Sequence, residues 1–148
     1  MFTKNNGFEF LDFLVVKEVE MFEYHRLAGS YAVIKSECKY LLCYNTLREQ
    51  WELPAGHREE DETPRECAIR ELYEETGQRI SNLEFKGLLK SKNLMNGEIK
   101  YNPVYFGTLL ELQPFMENSE TSEIQLWDLK KNIGYIDAVD LKLFDYVD

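Results

Sequence analysis

Apolar residues recur along this chain with two different periods. Residues 8–24 are rich in Phe, Leu and Val with charges interspersed, which predicts one or two strands. Residues 30–34 and 40–44 predict two short strands, with Lys35-Ser36-Glu37-Cys38-Lys39 as the polar turn of a hairpin. Trp51-Glu52-Leu53 predicts a third, ended by Pro54. Residues 84–91 and 101–110 predict two more, with the tight-turn pair Asn96-Gly97 between them, and residues 123–129 look extended. Helical spacing marks residues 63–76, and a terminal helix is predicted over about 137–146, where Val139, Leu141, Leu143 and Phe144 are apolar. Strands before and after a central helix, with a second helix at the end, predict an α/β fold: a mixed sheet packed between helices. No repeat, low-complexity tract or linker divides residues 1–148, so one domain is expected.

The central helix carries its own punctuation. Thr63 and Glu66 form a capping-box pair, Pro64 falls at the first helical position, and Gly77 follows the last turn as a stop. At about 100° per residue, Ala68, Ile69, Leu72, Tyr73 and Thr76 share one side, which predicts the buried stripe. Glu71, Glu74 and Glu75 gather on the opposite side, with Arg70 beside them and able to pair with Glu74. Three carboxylates repel one another, and no lysine relieves this face. An acidic helix face exposed to solvent explains such a run in most proteins. The alternative is a site for a hard divalent cation such as Mg²⁺, which takes oxygen ligands and binds substrate phosphates at the same time.

Composition narrows the function classes. Apolar residues make up 44% and charged residues 30% of 148 residues, as in a globular protein with a core. The formal net charge of −10 argues against a nucleic-acid polymer as partner, since phosphate backbones are bound by basic surfaces. A small anionic substrate remains compatible if a cation bridges it to the protein. The first residues lack the apolar core of a signal peptide, and no apolar run is long enough to span a bilayer, so no membrane role is expected. Cys38, Cys43 and Cys67 are odd in number without C-x-x-C spacing, which predicts reduced, mostly buried thiols and a cytoplasmic protein. His25 and His57 form no metal motif. The apolar stretch 8–22 leaves a homodimer open.

Gly56, Glu62, Arg70-Glu71-Leu72, Glu74-Glu75 and Gly77 stand at the spacing of the Nudix box, and on these residues the chain resembles the MutT-like Nudix hydrolases. Trp51-Glu52-Leu53-Pro54-Ala55 is similar to the family's approach to the box, and the resemblance extends over about residues 28–146. One position departs: Gln78 stands where the family has an aliphatic residue, and Ile80 is expected to supply that packing. The resemblance implies an α/β/α sandwich with a loop–helix–loop box. It implies the Gly56 carbonyl, Glu71, Glu74 and Glu75 as ligands of Mg²⁺, with Mn²⁺ as a substitute. Arg70 would hold the carboxylates by a salt bridge, and Glu62 would be an accessory member.

The implied reaction is attack of water on a phosphorus of a nucleoside diphosphate derivative. A general base comes from the box or from a later loop, where Glu120 and Glu123 are the candidates beside an ordinary surface role. Trp51, Tyr101 and Tyr105 either stack on a base or fill the core. Arg48 and Arg26 are candidates for phosphate contacts, and Asn102 and Asn93 for a base edge or a turn. Among these, Trp51, Tyr105 and Arg48 are the expected substrate contacts. Small size looks like the triphosphate-cleaning members. The Leu-Pro-Ala-Gly approach is also seen among ADP-ribose pyrophosphatases, but their proline after the box is missing, with Leu94 near that place and Pro103 too late. The tyrosine of dinucleoside polyphosphate hydrolases is missing too. The expected substrate is therefore a nucleoside triphosphate, oxidised forms included, cleaved to monophosphate and pyrophosphate. ADP-ribose or nucleotide sugars are the alternative, and a non-catalytic nucleotide sensor is the alternative of another class.

Overall fold

The computed structural model describes residues 2–147. Its strands are β1 (Phe2–Lys4), β2 (Phe8–Leu14), β3 (Ser30–Ser36), β4 (Lys39–Asn45), β5 (Gln50–Glu52), β6 (Ala55–Gly56), β7 (Glu84–Asn93), β8 (Ile99–Thr108), β9 (Thr121–Trp127) and β10 (Tyr135–Asp137). The helices are α1 (Pro64–Thr76) and α2 (Ala138–Leu143), and a 3₁₀ helix covers Glu18–Glu23. All ten strands join one sheet in the order β1-β10-β5-β4-β3-β8-β7-β2, with β6 on β3 and β9 on β4. The sheet is mixed: β3 runs parallel to β8 and antiparallel to β4.

Strand alternation divides the core into two layers. Ala32, Ile34, Leu41 and Tyr105 pack with Ala68 and Leu72 of α1. Their chain neighbours Val33, Leu42 and Val104 pack on the other face with Leu143 of α2 and with Val147. The predicted sheet between helices is therefore present, though its second helix has only 6 residues. No helix of the described residues is long and apolar enough to cross a membrane.

Several elements differ from the pattern-based expectation. The stretch expected to hold one or two strands at 8–24 splits into β2 and the 3₁₀ helix, in which only Met21 is buried. The β3–β4 hairpin turns tightly on Glu37 and Cys38, both at positive φ (52° and 62°), so the strands extend into the expected five-residue turn. Both β1 and β10 were invisible to periodicity, being three residues each and parallel neighbours in the sheet. β2 ends the sheet order, with Leu11, Val15, Val19 and Phe22 exposed along and after it. The cysteines are free, with Cys43 and Cys67 buried and Cys38 exposed.

Candidate active site

α1 begins and ends as its sequence dictates. The Thr63 side chain accepts from the Glu66 N–H at 3.1 Å, and Glu66 Oε1 accepts from the Thr63 N–H at 2.9 Å. Gly77 takes a left-handed φ of 80° and donates its N–H to the Tyr73 carbonyl. The helix thus holds its side chains at fixed angles beneath the loop of residues 53–56.

The acidic face is only partly open to solvent: the Glu74 side chain is about half exposed, and that of Glu71 is mostly covered. Glu75 is only 9% exposed, and the buried side of α1 runs through Cys67, Ala68, Leu72, Glu75 and Thr76. This corrects the placement of Glu75 opposite the buried stripe, while Glu74 stays on the exposed side of α1. The physical reason is a second cover: β6 and β9 lie against α1 in addition to β3. The Ala55 N–H donates to Glu75 Oε1 at 2.8 Å. A Cβ at Gly56 would overlap the Glu71 carboxyl, so a side chain there would push that carboxylate from its place. Gly29 is pressed in the same way against the Gly56 backbone. Cys67 Sγ donates to the Gly56 carbonyl at 3.3 Å.

Arg70 organises the carboxylates. Its Nε and Nη2 donate to the two oxygens of Glu62 at 2.6 and 3.0 Å, a bidentate pair. Nη1 donates to Glu71 Oε1 at 2.8 Å and to both Glu74 oxygens at 3.0 and 3.1 Å. Nη2 also donates to the His57 carbonyl at 2.8 Å. The hydrogen bond from Arg70 holds Glu62 below the usual carboxylate range. Glu62 Oε1 further accepts from the Glu59 N–H, so it fastens the loop to the helix.

The remaining acids are pushed the other way. Burial raises Glu71, with Glu74 and Glu120 adding to the rise against Arg70. Burial pushes Glu75 up to about 9, reinforced by Glu71, Glu52 and Glu120. Such crowding favours a cation or a proton. The donor set is all oxygen and suits a hard divalent ion. Among the described residues no group of three acids, histidines or cysteines is already arranged as a ligand cluster. Glu71 and Glu74 are turned onto Arg70 and Glu75 onto Ala55, so a cation would draw these oxygens from their present partners.

Other expected site residues separate. Glu120 lies close enough to raise Glu71 and Glu75. Glu123 sits on β9 beside Ile124, which packs toward α1, so alternation turns Glu123 to the other face. Trp51 is in the α2-side core, and its indole N–H donates to the Ile133 carbonyl at 2.9 Å. Tyr105 is fully buried on the α1 side, where its hydroxyl donates to Glu18 Oε2 at 2.8 Å. Neither ring presents a face to a base, because each is packed in one of the two core layers, and strand periodicity alone does not say which faces the helices cover. Arg26 pairs with Glu98 and Asn93 shapes the turn at Met95. Tyr101 packs against Tyr24.

Arg48 does reach the site. It lines a cavity of about 260 Å³ beside the box, together with Ala55, Gly56 and His57. Its Nη1 donates to both Glu52 oxygens at 3.1 and 2.9 Å. The cavity also uses Phe8, Tyr31, Glu52, Lys100, Asn102, Asp137 and Asp140, most of which sequence reasoning had not connected. Asp140 held a signal. Ile136, Asp140, Leu143 and Val147 are the buried positions of the last segment, so an acid occupies an otherwise apolar stripe. Asp140 Oδ2 accepts from the Leu53 N–H at 2.9 Å, and burial drives its carboxyl well above the usual range.

Gln78, the departure from the box pattern, is fully buried. Its amide donates to the Thr76 and Gln113 carbonyls and accepts from the Gln113 N–H, satisfying a buried loop that an aliphatic residue would leave unpaired. Ile80 supplies apolar packing in the α1-side cluster, as expected.

Comparison with known proteins agrees with this geometry. Residues 24–144 match the model of the NUDIX domain. The phosphatase NudJ of Escherichia coli K12 is 49% identical over 47 residues, which is 30% of this chain and 31% of NudJ, so the match spans under a third of that relative. A MutT NUDIX hydrolase from Burkholderia pseudomallei superposes with a TM-score of 0.71 at 19% identity, covering 84% of this chain and 100% of that one. The NUDIX domain of Shewanella oneidensis NrtR, crystallised with ADP ribose, gives 0.69 at 18% identity, over 88% and 96% of the two chains. With the box residues gathered by α1 and the family model matched over 24–144, this chain belongs to the NUDIX domain family and has the fold of its MutT-like hydrolases.

Proposed function

We propose that the protein is a Mg²⁺-dependent diphosphohydrolase that cleaves a nucleoside triphosphate, oxidised forms included, to a monophosphate and pyrophosphate. The observation that carries this reading is the placement of Gly56. It lies against the Glu71 carboxyl on one side and at the rim of the cavity on the other. A nucleoside held in the cavity therefore directs its phosphates over α1.

The Gly56 carbonyl, Glu71, Glu74 and Glu75 would hold the Mg²⁺, or Mn²⁺ in its place. The bound ion would offset the charge of the phosphates and orient them. Arg70 keeps Glu71 and Glu74 in position, and Glu62 keeps Arg70 in position. Glu120 is the candidate base. It takes a proton from water as the water oxygen bonds to phosphorus. The bridging P–O bond breaks, and its electron pair leaves with the departing phosphate. Arg48 stands at the cavity wall as a candidate phosphate contact.

A second reading, cleavage of ADP-ribose, draws support from the ADP ribose bound in the NrtR domain of the same fold. A sensor without activity would not need all three α1 carboxylates. Incubation of the purified protein and Mg²⁺ with nucleoside triphosphates, ADP-ribose and nucleotide sugars, with products read by mass spectrometry, tests the proposal. Monophosphate plus pyrophosphate from a triphosphate supports it. Cleavage of ADP-ribose alone replaces it with the second reading, and no cleavage of any compound overturns both.

A further inference from the structure

The cavity beside Gly56 continues inward into a narrower pit of about 50 Å³. Asn6, Phe8, Tyr31, Lys100, Asn102 and Asp137 wall both spaces, with the Asn6 amide donating to the Asp137 carboxylate, and Ser91 joins them in the pit. Antiparallel pairing of β7 with β8 sets Ser91 opposite Lys100 and Leu89 opposite Asn102, so these side chains share one face of the sheet. Among the described residues, two buried side-chain polar atoms have no hydrogen-bond partner: Ser91 Oγ and Asn102 Oδ1. Both belong to the walls of this pit. Leaving a buried polar atom without a partner is costly, and folded proteins carry few of them. Their coincidence in one cleft, next to the loop that carries Gly56, marks a recognition surface.

Its chemistry is specific. The Asn102 amide donates from Nδ2 to the Gly29 carbonyl at 2.7 Å, which fixes the amide and leaves Oδ1 as an acceptor. Gly29 is itself pressed against Gly56, so Asn102 is tied to the catalytic loop. Lys100 Nζ lies 3.9 Å from the centre of the Phe8 ring and can only donate. Ser91 can do either. An acceptor beside a cationic donor, with aromatic walls from Phe8 and Tyr31, complements a flat ring bearing N–H next to a carbonyl oxygen.

We infer that the cavity and its pit form the specificity pocket of the hydrolase site: the ring of a nucleobase lies in the larger cavity between the shared walls, and its edge, presenting a ring N–H beside a carbonyl, enters the pit. Asn102 Oδ1 accepts the ring N–H and Lys100 donates to the carbonyl oxygen. Guanine, hypoxanthine, uracil and thymine have this edge. Adenine and cytosine in the same pose set a bare ring nitrogen against Asn102 and an amino group against Lys100, so both contacts turn repulsive.

This inference rests on the nucleotide reading of the site, so its test is run without turnover. GMP, UMP, AMP and CMP are titrated into the metal-free protein in chelator, with binding read by calorimetry and by amide shifts of residues 100 and 102. GMP and UMP should bind about tenfold or more tighter than AMP and CMP. Asn102→Ala should reduce that preference to about twofold. Lys100→Met keeps the aliphatic stem, should do the same, and covers the case in which the Asn102 variant does not fold. Equal binding of the four, no binding of any, or a preference surviving in Lys100→Met overturns the inference. So does a complex in which Ser91 and Asn102 hold water while a sugar hydroxyl or nothing of the nucleotide enters the pit. Discrimination among monophosphates without any hydrolysis in Mg²⁺ would leave this inference standing and remove the hydrolase proposal, and hydrolysis without discrimination would do the reverse.

Discussion

Two buried acids grip the same loop from opposite sides, and they solve the same electrostatic problem differently. Asp140 accepts the Leu53 N–H and Glu75 accepts the Ala55 N–H, two residues further on. Both carboxyls are raised by burial. Asp140 lies in the cavity wall, where Tyr31 gives it a further hydrogen bond; Asp137 and Glu52 add to its rise, but Arg48 holds Glu52 and Asn6 donates to Asp137, so a proton is enough to neutralise it. Glu75 stands among Glu71, Glu52 and Glu120. One arginine already serves Glu62, Glu71 and Glu74 and makes no hydrogen bond to Glu75. That side carries more negative charge than its own residues neutralise, and a divalent cation is the economical remedy. The difference separates a wall that shapes the cavity from the face that, in the proposed function, takes metal and phosphate.

The comparison breaks most sharply in turnover. Glu74→Gln and Glu75→Gln should each lower kcat by about a hundredfold or more, the scale of losing one preorganised charged group at a reacting centre. Full activity in both would show that α1 holds no metal. Arg70→Ala should cost about 2 kcal/mol in urea unfolding, since several charge-assisted hydrogen bonds to partly buried carboxylates are lost. Arg70→Lys should recover only part of it, because an ammonium cannot span the two Glu62 oxygens as a guanidinium fork does.

The Asp140 side is read through pH. Its carboxyl titrates near 3.9 when unfolded and well above that when folded. Between those values the folded state keeps a proton that the unfolded chain has lost. Stability therefore falls as pH rises through this window, by about 1 kcal/mol per pH unit. Asp140→Asn should lessen the slope by about this amount in unfolding experiments from pH 4 upward, leaving the part that the raised Glu75 contributes, and an unchanged slope would show that Asp140 is ionised in the fold. The smallest effect is expected at Tyr105→Phe. Loss of the bond to Glu18 should cost about 1 kcal/mol of stability. KM should stay unchanged, because the ring lies under α1 and outside the cavity.

The two regions were not equally legible in the sequence. The box was readable because Glu71, Glu74, Glu75 and Arg70 lie within two turns of one helix, where spacing alone fixes neighbours. What spacing left out was the loop lying over them, which buries Glu75 and gives Gly56 its steric role. The cavity was not readable. Phe8, Tyr31, Lys100, Asn102 and Asp140 come from β2, β3, β8 and α2, and only the sheet order brings them together. Trp51 and Tyr105 show the same limit from the other side. Alternation places them on a face of a strand, but which faces the helices cover is settled by tertiary packing.

Magnesium binding measured by thermal shift and calorimetry, on the wild type, Glu75→Gln and Asp140→Asn, tests the central contrast most directly. Wild type and Asp140→Asn should be stabilised by Mg²⁺ to a similar extent, while Glu75→Gln should lose most of that stabilisation with little change in its metal-free melting temperature. Equal Mg²⁺ stabilisation in Glu75→Gln and wild type, or its loss in Asp140→Asn alone, would contradict the assignment of the cation to the α1 side of the loop.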